Sequence, residues 1–173
     1  FEPEIEGAHL LRKIWSDTVS KWAQSCLDGS PDFIGISVLY AGMVVPSLAL
    51  AYEIKSRNPT LPICFGGPFA SPSNYQVINR LLQSQLIDGI LQGDGEVAIQ
   101  QIVQAIKHKT ALNQVPGMWT QHGNGAIMNI PPQLIDPNTL PFADFRDFDL
   151  RKYQNLWHGC VFPISGSRGC VNK

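Results

Sequence analysis

The sequence has almost no excess of charge of either sign. Its 173 residues include 13 lysines and arginines against 14 aspartates and glutamates, which gives a formal net charge of −1. Proteins that bind nucleic acid or an anionic membrane surface usually present an excess of basic residues. The balance therefore gives no electrostatic reason to expect either partner.

Long apolar runs are absent, and cysteines are few. No apolar run approaches the roughly 20 residues of a membrane-spanning helix, and residues 1–4 lack the features of a signal peptide. Four cysteines at these spacings do not indicate a secreted disulfide framework. We therefore expect a cytoplasmic protein. Because the sequence begins without methionine and ends without a terminating feature, we expect a fragment of a longer protein.

The segments with a clear pattern alternate between helix and strand. Helical spacing of apolar residues and short apolar runs predict helices over 4–27, 44–57, 73–86 and 96–108, and strands over 33–39, 62–66 and 89–92. Such alternation produces right-handed crossovers and a parallel sheet. We predict an α/β fold with a flavodoxin- or Rossmann-like, doubly wound parallel sheet. Since a helix precedes the first strand, the sheet is expected to lack its first strand or strands.

Finer features follow from the same patterns. The runs 34–40 and 63–68 are each apolar on nearly consecutive positions before they end in small or turn-forming residues, which predicts strands covered on both faces. In the helix 96–108, five residues are predicted to point inward: Val97, Ile99, Ile102, Val103 and Ile106. Gly123-Asn124-Gly125 predicts a hairpin between 117–121 and 126–130.

The composition changes after residue 130. Residues 131–158 alternate proline, acidic and aromatic residues, and we interpret them as a linker that follows an α/β domain over 1–130. A possible strand at 161–164 then precedes Arg168-Gly169-Cys170. We expect a second domain to begin within 159–173.

The ends of the first two predicted strands carry candidate binding residues. Ser37-x-Leu39 is followed, after the 26 residues 40–65, by Gly66-Gly67. In open α/β sheets, ligands bind at the carboxyl ends of the strands. A hydroxyl at a strand end can hydrogen-bond a nucleotide-like tail, and paired glycines let a flat group lie against bare backbone. Tyr40 and Pro68 follow directly and are candidate contacts for the same ligand.

A third candidate lies after the third predicted strand. Gly93-Asp94-Gly95-Glu96 begins a helix, and backbone N–H groups at a helix N-terminus favour anions. Asp94 or Glu96 is also suited to capping that helix.

These motifs together resemble a known family. The spacing from Ser37-x-Leu39 to Gly66-Gly67 is similar to the cobalamin-binding domain of methionine synthase and the cobalamin mutases. The turn at 93–96, with the segments 31–38 and 140–145, resembles the cobalamin-binding domains that precede radical SAM domains. The cobalt-ligating histidine motif of the wider family would fall before Phe1.

The resemblance implies a function for the intact protein. It would be a radical SAM enzyme in which SAM is cleaved at a 4Fe-4S cluster and cobalamin delivers a methyl group to an unactivated carbon. Some relatives use the same parts for cyclisation or ring rearrangement. Arg168-Gly169-Cys170 resembles the start of the cluster loop, so that Cys170 would be the first cluster ligand. The implied partners are the chain's own downstream radical SAM domain and a small-molecule or peptide substrate, and the fragment alone is not expected to be active.

Three alternatives remain open from the residues. The domain could be a non-enzymatic cobalamin carrier or light sensor, or a flavin- or nucleotide-binding module of flavodoxin type. It could also be a degenerate domain that binds no cobalamin and supports a radical SAM enzyme by packing alone.

Overall fold

The computed structural model describes residues 8–133, 135–141, 144 and 146, without the side chains of 8–14 and 137. The chain divides into two compact units, residues 1–134 and 135–173. The predicted linker 131–158 is described only in part, and the predicted domain start at 159–173, with Cys170, lies outside the described residues. Those boundaries stay predictions.

The first unit contains four helices and five strands among the described residues. The helices are α1 (Ala8–Leu27), α2 (Val44–Arg57), α3 (Tyr75–Gln83) and α4 (Gly95–Lys107). The strands are β1 (Ile34–Ser37), β2 (Ile63–Gly66), β3 (Gly89–Leu91), β4 (Met118–His122) and β5 (Gly125–Met128). None of these helices is both long and apolar enough to span a membrane.

The five strands form one sheet in the order β1-β2-β3-β4-β5. β1, β2 and β3 are parallel, and β4 and β5 form an antiparallel hairpin that extends the sheet beyond β3. The α/β class and the Rossmann-like parallel arrangement are confirmed. The hairpin was predicted as a local feature, and the structure adds that it belongs to the same sheet.

Helices cover the two faces of the sheet unequally. On one face, α1, α2 and α3 pack on Ile63, Phe65 and Ile90. On the other face, α4 packs through Ala98, Ile102 and Ala105 on a second cluster that includes Cys64, Leu91 and Met118. Alternate residues of β2 therefore enter opposite cores, as the period of a strand requires.

The coverage of β1 corrects one prediction. Its residues alternate between half-buried and exposed, and Gly35 and Ser37 are the exposed pair. The prediction of two covered faces is therefore confirmed for β2, but it is wrong for β1. Among the described residues, α4 covers the centre of its face and leaves the surface over β1 open.

The amino ends of β2 and β3 are joined by Asp88. Its Oδ2 accepts hydrogen bonds from the Ile63 backbone N–H at 2.8 Å and from the Lys55 ammonium at 2.9 Å. The Asp88 N–H in turn donates to the Ile63 carbonyl at 2.8 Å. These bonds hold the parallel strands in register at the end opposite to their carboxyl termini.

Candidate cofactor site

The carboxyl ends of β1 and β2 lie side by side. Ser37 pairs in register with Gly66, and the Val38 N–H donates to the Gly66 carbonyl at 2.7 Å. The Phe69 N–H donates back to the Val38 carbonyl at 3.2 Å. The loops that carry the two sequence motifs are therefore adjacent, although 26 residues separate them along the chain.

A groove of about 320 Å³ begins at this edge and runs between the sheet and α4. Its volume lies at the low end of the roughly 300–1,000 Å³ that is usual for small-molecule sites. The lining includes five residues from the predicted set: Ser37, Gly66, Gly67, Gly93 and Gly95. Sheet pairing and the start of α4 thus bring together residues from all three predicted motifs.

The five glycines that line the groove differ in what their missing side chains would meet. A Cβ on Gly67, whose φ is +92°, would lie 2.7 Å from the Val38 carbonyl oxygen, and one on Gly93, at φ +96°, would lie 2.8 Å from the Pro132 Cβ. These two glycines are required by the fold itself. By contrast, a Cβ on Gly66 meets nothing closer than 3.9 Å, and one on Gly95 meets nothing within 4 Å.

The remaining predicted residues lie near the groove but not in its lining. Leu39, Tyr40 and Pro68 are exposed just beyond the carboxyl edge, with 56% and 65% of Leu39 and Tyr40 accessible. Asp94 lies at the N-cap position of α4 with extended backbone, and Glu96 is in the first turn. Their roles as cofactor contacts stay predictions.

The groove is apolar and carries no net charge. None of its described lining residues is ionised at neutral pH, and the Ser37 hydroxyl is the principal polar side chain. Asp94 and Glu96 lie at the start of α4, where the helix dipole is positive. Their negative charges therefore offset the attraction that the helix dipole would otherwise exert on an anion. This electrostatic setting favours an uncharged group inside the groove over a phosphate.

Cys64 contributes a thiol to the lining, but this thiol is 3% exposed. Burial, and secondarily the negative charge of Asp88, raise the pKa of Cys64 to about 12, with Lys55 opposing the shift. Because the thiolate is the reactive form, Cys64 acts here as a small apolar side chain.

Sequence reasoning missed several lining residues, chiefly Phe33, Gly35, Leu91, Ile99 and Ile102. Because alternate residues of a strand share a face, the position of Gly35 two residues before Ser37 could have identified it as part of the lining. Ile99 and Val103 were predicted to point inward, but they are 49% and 47% exposed. The apolar stripe of α4 is wider than the surface that the sheet covers, and Ile99 faces the groove instead.

Two residues that follow the motifs in the sequence pack away from the groove. Phe69 belongs to the core under α1–α3, and Met43 packs against that core. No cluster of three or more histidine, cysteine or acidic side chains suited to a metal ion occurs among the described residues. Cys170, the predicted cluster ligand, is not among them.

Comparisons with known proteins agree with the motifs. No family model matches the chain. It is 27% identical over 121 residues to the anaerobic magnesium-protoporphyrin IX monomethyl ester cyclase of Synechocystis sp., covering 70% of this chain and 24% of that protein. It is 28% identical over 145 residues to the hopanoid C-3 methylase of Methylococcus capsulatus, covering 81% and 26%. The chain thus spans about a quarter of the length of these curated relatives.

A solved structure shares the fold. The radical S-adenosylmethionine methyltransferase TsrM from Kitasatospora setae, with cobalamin and a 4Fe-4S cluster bound, aligns with a TM-score of 0.52 at 20% identity. The alignment covers 73% of this chain and 22% of that one. A second structure of TsrM, with tryptophan and a SAM analogue bound, gives a TM-score of 0.51. These matches confirm the fold that the motifs indicated.

Proposed function

We propose that this chain is the cobalamin-binding domain of a radical SAM enzyme. The observation that carries the proposal is the groove at the carboxyl edge of β1, β2 and β3, where Ser37 and the glycine pair Gly66-Gly67 meet. Ligands of open α/β sheets bind at this edge. The groove has the size of a nucleotide tail and is smaller than a whole corrinoid.

The residues fit that part of the cofactor. Gly35, Gly66 and Gly95 line the groove, and the nearest atoms to a Cβ on any of them are no closer than 3.4 Å. The fold therefore tolerates a side chain at these positions, yet a side chain would fill the groove. This cradle suits a flat ring laid against bare backbone.

Each part of the site has a distinct role in this proposal. The uncharged base at the end of the nucleotide tail would occupy the groove, with the Ser37 hydroxyl as a hydrogen-bonding group near its entrance. Leu39, Tyr40 and Pro68, exposed beside the entrance, would contact the macrocycle. Bound cobalamin supplies methyl-transfer chemistry, whereas the residues of this chain bind the cofactor, orient it and exclude water from its tail.

The activity of the whole protein is part of the same proposal. The relatives are a methylase and a cyclase, so we propose a methyltransferase or a ring-forming relative that acts on a small molecule or a peptide. The cluster would be ligated by Cys170 and by cysteines downstream of it. Methyl transfer in the intact protein would then require both this domain and the radical SAM domain.

Hydroxocobalamin binding to the purified chain tests the proposal. Binding is measured by retention of corrinoid absorbance after gel filtration and by titration, with flavin mononucleotide as the competing candidate. Gly66→Val should weaken cobalamin binding at least about tenfold, because the branched side chain occupies the groove.

Gly125→Val is the matched control. Gly125 is also a half-buried strand glycine, and a Cβ there meets only the Tyr75 hydroxyl at 3.6 Å. This variant should bind as the wild type does. Retention of flavin instead of cobalamin, or equal binding by wild type and Gly66→Val, would contradict the proposal.

A further inference from the structure

Polar and apolar groups are separated along the length of the groove. Ser37, Gly67, Gly93 and Gly95 lie at its carboxyl edge, where the hydroxyl and backbone groups of loops are found. Phe33, directly before β1, lies four residues before Ser37, about 13 Å deeper at the usual rise of extended chain. The entrance is therefore polar, and the interior is formed by hydrocarbon.

Contacts around Phe33 define that interior. The ring lies over the bare backbone of Gly35, since a Cβ there would be 3.4 Å from Phe33 Cε1. Leu91 and Ile102 form the buried wall at 8% and 2% exposure. Ile99, one turn into α4 and half exposed, forms the outer wall.

A polar edge on the bound base would find few partners in this interior. Beyond Ser37, the described lining side chains are glycines, aliphatic or aromatic residues and the thiol of Cys64. A buried nitrogen or amine that leaves water without a new hydrogen bond weakens binding. A ring whose outer edge carries only carbon and hydrogen loses nothing in the same place.

We propose, resting on the proposed function, that this groove selects corrinoids by their lower base. It favours a benzimidazole base over a purine such as adenine, whose exocyclic amine and ring nitrogens require partners. Ile99 is a specificity-determining residue, because its side chain contributes the hydrocarbon wall nearest the solvent and is not required for packing the core.

Binding of three corrinoids to the chain tests this selectivity. The probes are cobalamin, a corrinoid with adenine as its lower base, and cobinamide, which has no base. We expect the adenine form to bind about tenfold more weakly than cobalamin, and cobinamide also to bind more weakly than cobalamin. Each Kd is measured by absorbance titration under the same conditions.

A pair of substitutions on α4 gives the matched comparison. Ile99→Gln adds an amide to the groove wall on a half-exposed helical position, so we expect the preference for cobalamin to fall to about threefold or less. Val103→Gln, one turn further along and similarly exposed, lies outside the lining of this groove and should keep the tenfold preference. Glutamine is a strong helix former, so neither substitution should disturb α4.

The outcomes separate the inference from the function on which it rests. If no corrinoid binds, the proposed function is wrong and this inference falls with it. If cobalamin and the adenine form bind equally, cofactor binding stands and base selection is overturned. Base selection by Ile99 is likewise overturned if both glutamine variants change the preference to the same extent.

Discussion

Replacing Gly67 with alanine should damage the fold directly. Gly67 begins the loop that leaves β2 and has a φ of +92°, which L-residues with a side chain rarely adopt. A Cβ there would lie 2.7 Å from the Val38 carbonyl oxygen and 3.0 Å from Ser37 Oγ. Ser37 Oγ can rotate away, but the Val38 carbonyl oxygen and the Val38 N at 3.1 Å are backbone atoms and cannot.

The magnitude follows from two costs. A non-glycine residue with positive φ costs about 1–2 kcal/mol. Relieving a contact with backbone requires shifts that cost about another 1–2 kcal/mol. We therefore expect the free energy of unfolding to fall by about 2–4 kcal/mol, and Tm by roughly 10 °C for a unit of this size.

Gly66→Ala is the adjacent control. Its Cβ would meet nothing closer than 3.9 Å, and alanine is favoured over glycine within a strand by about 0.5–1 kcal/mol. We expect its stability to equal or slightly exceed that of the wild type. Both variants are compared by urea denaturation followed by circular dichroism, without added cofactor.

A Gly67→Ala protein within about 0.5 kcal/mol of wild type would refute this reasoning. The Val38–Gly67 contact would then be more adaptable than the structure shows. If the expected loss is found, Gly67 variants cannot report on cofactor binding, because they weaken the loop before any ligand arrives. At Gly66, by contrast, a substitution can weaken binding without lowering the stability of the fold.

Two further predictions concern parts of the fold outside the glycine loops. Asp88→Ala should lower the free energy of unfolding by about 1–3 kcal/mol in urea denaturation, because the buried Ile63 N–H and the Lys55 ammonium lose their acceptor. Glu53→Ala, which removes a surface ion pair with Arg57, should cost only about 0.5 kcal/mol, and equal losses in the two variants would count against the role of Asp88 in joining β2 and β3. The raised pKa of Cys64, about 12 against 9.0, means that its contribution to stability is present below pH 9 and is lost between about pH 9 and 12. From pH 8 to 10 the wild type should therefore lose about 1.4 kcal/mol more than Cys64→Ala, and an identical pH dependence would show that the thiol titrates normally.

The local patterns of the sequence predicted most of the elements. Helical periodicity located α2 at 44–57, as observed, and the Gly-Asn-Gly turn located the hairpin. Such features depend on contacts between residues close in the chain, which the sequence displays directly. The ends of α3 were less well predicted: a 3-10 turn at Pro72–Asn74 precedes the helix, which covers Tyr75–Gln83.

The motifs also predicted which loops lie together at one edge of the sheet. Ser37 and Gly66-Gly67 were predicted to share a site because parallel strands end at the same edge, and the register of β1 and β2 places them together. This inference needed only the fold class. It did not need the position of any helix.

The sequence by itself determined the fold class, the strand ends and the family resemblance. Only the tertiary structure decided which glycines are free to accept a ligand, which face of β1 is open, and that Phe33 and Ile99 line the groove. Those properties depend on packing between segments 30 to 70 residues apart, such as α4 over β1 and Val38 against Gly67. The periodicity of a sequence shows which side of a helix or strand is apolar, but it does not show which other segment packs against that side.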